Sequence, residues 1–214
     1  MTQVESALYF SKKYLSLERF ISYYYQCDFI RDAEPKRMLL IGVGDGMVPD
    51  MLKKMGTVMV TTMDFDSDLN PDVIGDIREL DFPDDSFDLV CAFEVLEHIP
   101  LEESEKALEE MARISKRHVI ISVPHRRTGF EIVIKFPGIR TILRRDYIRL
   151  ACFFPLPFKG FAESGQHYWE IDGYHLSLRR FRDILRRNFT VTREQTPVLD
   201  YYHHFFSLEK TKAH

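Results

Sequence analysis

A chain of 214 residues that is 45% hydrophobic and 13% aromatic can bury a full core, which excludes a disordered or low-complexity protein. Its net charge of −4 lacks the basic excess that nucleic-acid binding usually brings, so no nucleic-acid partner is expected. Cys27, Cys91 and Cys152 have no metal or redox spacing, no apolar run is long enough to span a bilayer and the N-terminus carries no secretion signal. A reducing, cytoplasmic location without an integral membrane segment is the expectation, with Cys91 inert in a buried strand.

In chain order, residues 5–31 read as helical and aromatic, with Tyr9, Phe10, Tyr14, Phe20, Tyr23, Tyr24 and Tyr25 mostly packing on a sheet edge. Residues 33–36 link this cap to Met38-Leu39-Leu40-Ile41, an apolar run that suits a strand covered on both faces. Gly42, Gly44 and Gly46 follow at alternate positions, and Met47 to Met55 reads as a helix with Pro49 in its first turn and Gly56 at its end. Strand, glycine turn and helix N-terminus together let a ligand approach the backbone and offer N–H groups to a carboxylate or phosphate. A plain tight turn would look the same in isolation. Thr57 to Met63 reads as the next strand, and Asp64 at its tip can accept hydrogen bonds from both hydroxyls of a ribose. Gly75-Asp76-Ile77 comes next. The apolar strand Leu89 to Phe93 then runs into Glu94-Val95-Leu96-Glu97-His98-Ile99.

In this order and spacing the motifs resemble the class I S-adenosylmethionine-dependent methyltransferase family, nearest the small-molecule type with a Leu-Glu-His segment after the fourth strand. The resemblance covers roughly residues 36–124. It implies an α/β fold: a doubly wound, mostly parallel Rossmann-like sheet with an antiparallel C-terminal strand, the cofactor over the strands' carboxyl ends, and an inserted lid. It also implies S-adenosylmethionine as cofactor. Gly42, Gly44 and Gly46 would hug its methionine part with Val43 and Asp45, and Asp64 would hold the ribose beside Phe65. Asp76 and Ile77 would meet the adenine, while Phe93, Glu94 and Val95 would line the methionine side. Tyr14 would reach over the cofactor from the N-terminal cap.

Downstream, Leu101 to Lys116 reads as a helix, acidic early and basic late, as the helix dipole favours. His118 to Val123 is the next strand, closed by Pro124. A helix opens at the N-cap Ser177 and turns Leu178, Phe181, Ile184 and Leu185 inward. Residues 189–192 and 202–208 read as a final antiparallel pair. The expected division is a single domain: a helical cap (1–35), a cofactor-binding core (36–124), an acceptor lid (125–175), and a C-terminal helix and strand pair (176–214).

Residues 125–173 interrupt the alternation and are aromatic and basic, broken by Pro137, Pro155 and Pro157. They are read as a lid that supplies the acceptor pocket; a homodimer interface is the alternative. Within the stretch 165–175, Trp169, Glu170 and His175 are expected to bind the acceptor together with Arg126. His98 is the first candidate base, with His167 and His125 behind it, although a helix-end histidine that only orders a loop would look alike. No metal is expected: His167-x-x-Glu170 would suit one on a helix, but glycines flank the stretch.

Charge and absences narrow the acceptor. Residues 1–100 carry 9 Lys/Arg against 19 Asp/Glu, a net −10, and residues 101–214 carry 20 against 14, a net +6. An acidic half suits a sulfonium cofactor, and a basic half suits an anionic acceptor. No Asn- or Asp-Pro-Pro-aromatic segment and no Pro-Cys nucleophile is present, which disfavours amino-adenine, glutamine and cytosine targets. A small-molecule, sugar or lipid-like acceptor methylated on oxygen is the expectation. Two other classes stay open: a non-catalytic S-adenosylmethionine-binding scaffold or regulator, and a nicotinamide-dependent oxidoreductase. Against the latter, the glycines are spaced Gly-x-Gly-x-Gly rather than Gly-x-Gly-x-x-Gly.

Overall fold

The computed structural model of the chain describes residues 15–155, 167–173 and 176–211. Its elements are α1 (Leu17–Ala33), β1 (Arg37–Ile41), α2 (Met47–Met55), β2 (Met59–Asp64), β3 (Val73–Ile74), β4 (Phe87–Phe93), α3 (Leu101–Ile114) and β5 (Ser115–Pro124). They continue with β6 (Arg127–Ile134), α4 (Ile139–Leu143), β7 (Ile148–Pro155), α5 (Leu178–Leu185), β8 (Phe189–Gln195) and β9 (His203–Lys210). Single 3₁₀ turns occupy Ser67–Leu69 and Leu96–His98.

Seven strands form one sheet in the order β3-β2-β1-β4-β5-β9-β8. The pairs from β3 to β5 are parallel, and β9 is antiparallel to both β5 and β8. From β1 the chain crosses to β2 on one side, and β4 pairs with β1 on the other. The carboxyl ends of β1 and β4 therefore flank a crevice, where open α/β sheets bind ligands.

Strand alternation divides the core. Leu39 and Ile41 face one cluster with Leu108 and Met111 of α3 and Phe181 and Ile184 of α5. Met38 and Leu40 face the other, with Tyr25 and Phe29 of α1 and Leu52 of α2. Both sheet faces are thus covered by helices, which is why β1 and β4 are apolar at every position except Arg37 and Asp88 near their starts. Phe205 of β9 is fully buried and packs against Tyr25, Phe29 and Phe93, a burial that stabilises the fold by roughly 1.5–3 kcal/mol. Gly56 ends α2 in the left-handed conformation and Ser177 caps α5, accepting from Arg180 N–H at 3.2 Å, as expected.

The interruption after β5 holds regular structure that the prolines conceal. β6 and β7 pair antiparallel in a separate two-stranded sheet, with Ile132 opposite Leu150 and Phe130 opposite Cys152. One face of this hairpin is tied to the loop between β8 and β9. Arg149 donates to the carbonyls of Thr196 and Pro197, both at 2.9 Å, and Glu131 accepts from Leu199 N–H at 3.0 Å. Phe130, Ile132, Leu150 and Phe154 are exposed.

Candidate functional site

The glycine loop forms one wall of the crevice. Gly42 donates its N–H to Met63 O at 2.9 Å and has φ +85°, and a Cβ there would meet Val95 Cγ2 at 2.5 Å. The residue must therefore be glycine both for its backbone and for its fit against the loop after β4. Gly44 and Gly46 also have positive φ, and a Cβ on Gly46 would meet only open space. Asp64, at the tip of β2, accepts Val43 N–H at 2.7 Å on one oxygen and Asp66 N–H at 2.9 Å on the other. Its carboxylate is pinned beside the glycine loop, and each oxygen keeps a lone pair. Asp45 accepts from Met47 N–H at 3.1 Å and from the Tyr23 hydroxyl at 2.5 Å, which ties α1 to the loop. Phe65 is exposed next to Asp64, while Ile77 is buried. Asp76 accepts from the Arg78 guanidinium on both oxygens, and Arg78 reaches on to Glu103. Those hydrogen bonds hold the Asp76 carboxyl below its ordinary range in spite of burial.

The opposite wall begins at Glu94. This residue has φ +55°, left-handed for a non-glycine residue, a strain of order 1–3 kcal/mol that tends to mark functional sites. Its surroundings impose it: Glu94 N–H donates to Ser122 O at 3.0 Å, and Ser122 Oγ donates to Glu94 Oε1 at 2.7 Å. His203 Nε2 lies 3.5 Å from Glu94 Oε2, while its Nδ1 hydrogen-bonds Asp200. Burial works against a charge on His203, but the two carboxylates outweigh it and raise its pKa.

Past Glu94, the 3₁₀ turn brings Glu97 and His98 to the segment that returns from the insertion. Tyr168 N–H donates to Glu97 O at 2.8 Å, and the rings of His98 and His167 meet edge-on with centroids 5.0 Å apart. His167 Nδ1 lies 3.0 Å from Glu170 Oε1, which also accepts from the Tyr202 hydroxyl at 2.8 Å. Burial pushes Glu170 up, but those two hydrogen bonds hold it below its ordinary value. Glu97 is fully buried. Its carboxyl is pushed well above the usual range by burial and then by the nearby Glu94 and Glu170 charges.

Two of the candidate residues lie in the interior. Trp169 is buried against Phe181, and its indole N–H donates to Ile99 O at 3.1 Å and Ser104 Oγ at 3.2 Å. His125 is no exposed base, because both ring nitrogens are engaged in the interior. Its Nε2 lies 2.8 Å from Asp172 and its Nδ1 lies 2.7 Å from His204 Nδ1, while His204 Nε2 lies 2.8 Å from Glu194. Burial pulls the pKa of His125 down to about 4 and that of His204 below its ordinary value, against the pull of the Asp172 and Glu194 carboxylates. Arg126 is half-buried and donates its N–H to Ile171 O at 2.8 Å. Tyr14 and His175 lie outside the described residues.

A glycine loop, a pinned acid at the second strand's tip and an acidic turn after the fourth strand thus surround one crevice. Residues 39–123 match the family model described as a methyltransferase domain. Those residues form a methyltransferase domain of the S-adenosylmethionine-dependent kind. No curated protein matches the chain by sequence. Solved structures are similar in fold. PH0226 from Pyrococcus horikoshii OT3 aligns with a TM-score of 0.61 at 15% identity over 95% of this chain and 93% of its own. A SAM-dependent methyltransferase from Aquifex aeolicus aligns with 0.61 at 15% over 98% and 100%. Magnesium protoporphyrin IX methyltransferase from Synechocystis PCC 6803, with bound SAH, aligns with 0.56 at 16% over 91% and 83%.

The methyltransferase is an enzyme with S-adenosylmethionine as its cofactor, and the oxidoreductase and scaffold alternatives are set aside. The crevice fits that cofactor: glycines leave room above the β1 turn, and Asp64 keeps acceptor capacity for a ribose. Among the described residues no helix is long and apolar enough to cross a membrane. Sequence reasoning missed His203, Asp200, Tyr202 and Ser122. Only the adjacent pair His203-His204 next to Asp200 could have signalled them.

Proposed function

We propose that this methyltransferase methylates an oxygen of a small-molecule, sugar or lipid-like acceptor, favouring an anionic one. S-adenosylmethionine supplies an electrophilic sulfonium methyl when bound. The chain has three tasks left. The loop Gly42 to Gly46 with Asp64, Asp76, Phe93 and Glu94 binds and orients the cofactor. The return segment 167–171 walls off water, anchored by Trp169 in the core. The paired rings of His98 and His167 mark where the acceptor's hydroxyl loses its proton. That pairing, 5.0 Å between centroids on the loop that also touches Gly42 through Val95, is the observation that carries the reading.

The test is product analysis by mass spectrometry after incubation with S-adenosylmethionine and a panel of hydroxylated sugars, lipids and aromatic acids. O-methylated product is expected. His98→Asn and His167→Asn should lower kcat about 10²–10⁴-fold with S-adenosylhomocysteine affinity kept. Methylation confined to nitrogen, or full turnover in both variants, would overturn it.

A further inference from the structure

Glu97 has a side chain that the fold alone does not account for. It is 0% exposed, and among the described residues neither carboxyl oxygen has a hydrogen-bond partner on another residue. A buried carboxylate left in that condition costs several kcal/mol, and a leucine would fill the space without that penalty. The carboxyl is aimed at a cluster. One ligand atom from each of Glu97, His98 and His167 lies within 4.8 Å of the others. Donors that share one ion at about 2.1 Å each stand up to about 4.2 Å apart, so slight side-chain movement closes the set. The cluster is also braced from behind. Glu170 engages His167 Nδ1 and is itself held by Tyr202, the arrangement by which a carboxylate fixes an imidazole so that Nε2 faces an ion.

We propose that Glu97, His98 and His167 form a binding site for one divalent transition-metal ion of the Mn²⁺, Co²⁺ or Zn²⁺ type. Two imidazoles and one carboxylate suit these borderline ions, whereas Mg²⁺ and Ca²⁺ favour oxygen ligands throughout. Three protein ligands leave coordination positions for water or an acceptor oxygen. An ion there neutralises Glu97 and lowers the pKa of a hydroxyl bound beside it. That last role rests on the acceptor reading above; ion binding itself does not. A helical His167-x-x-Glu170 pair is not involved. Residue 167 joins from a loop, and Glu170 stands behind it.

The experiment takes the full chain, stripped with a chelator and exchanged into metal-free buffer, and titrates it with cobalt(II) chloride by visible absorption and calorimetry. Neither cofactor nor acceptor is needed. The wild type is expected to take up one equivalent with the d–d bands of nitrogen and oxygen coordination. Glu97→Gln and His167→Ala should each weaken uptake about tenfold or more. Glu97→Gln keeps the shape and removes the buried charge, so without metal it should melt no lower than the wild type. A wild type that binds S-adenosylhomocysteine but no cobalt overturns the ion site and leaves the methyltransferase reading standing. Cobalt uptake unchanged in both variants overturns it as well.

Discussion

The cofactor core, from β1 to β5, and the insertion that follows it solve opposite problems. In the core the central strands β1 and β4 are covered on both faces, and polar groups at the strand ends serve the crevice: Asp64 on the glycine loop, Ser122 on Glu94. The insertion divides in two. Its hairpin, β6 and β7, anchors one face to the β8–β9 loop and leaves Phe130, Ile132, Leu150 and Phe154 in the open. Its return segment is stitched into the core through Trp169, through Tyr168 N–H to Glu97 O and through Ile171 N–H to Pro124 O at 2.9 Å. What reads as one lid is therefore, among the described residues, an exposed arm and a buried strap, and the strap delivers His167 to the crevice.

Four substitutions would break or sharpen this contrast. The largest effect is expected for Trp169→Ala, which empties a core position: about 3–5 kcal/mol of stability lost in urea unfolding, whether or not cofactor is present. A loss below about 1 kcal/mol would return Trp169 to the surface. Asp64→Ala should cost about 1.5–3 kcal/mol of S-adenosylhomocysteine affinity by calorimetry, because a charged acceptor leaves the crevice wall. Unchanged affinity would make Asp64 a loop brace only. Gly42→Ala combines a strained φ with contact against Val95, and a stability loss of about 1–3 kcal/mol is expected from the same unfolding assay. The smallest change belongs to the arm: Ile132→Ser should alter stability by no more than about 0.5 kcal/mol, since nothing in the described fold packs on that face. A larger loss would show that the face is covered in solution.

The core was legible in sequence because its signals are local. Three glycines at alternate positions, Pro49, Gly56 and an acid at a strand tip each act within a few residues of themselves. Its errors are small: β2 starts at Met59 rather than Thr57, and the third helix yields to β5 at Ser115. The site's second half was illegible because its partners are distant in sequence. Glu97 meets His167 through a contact seventy-odd positions away in chain order, and Glu94 meets His203 only because β9 lies beside β5. Local spacing also cannot report burial. Trp169 and His125 sit among histidines and acids, which is the composition of a site, yet one is core and the other is locked between Asp172 and His204.

The place of β9 between β5 and β8 has a consequence for how the molecule is made. β5 carries Val119, Ile120 and Ile121, and the strand that completes it is the last of the fold. During synthesis its open edge must wait while the whole insertion and α5 emerge. Non-local pairing of this kind is slow and exposes strand edges to other chains. A chain cut after β8 would keep its glycine loop and Asp64, yet it would present a bare apolar edge and would be expected to aggregate rather than bind cofactor weakly.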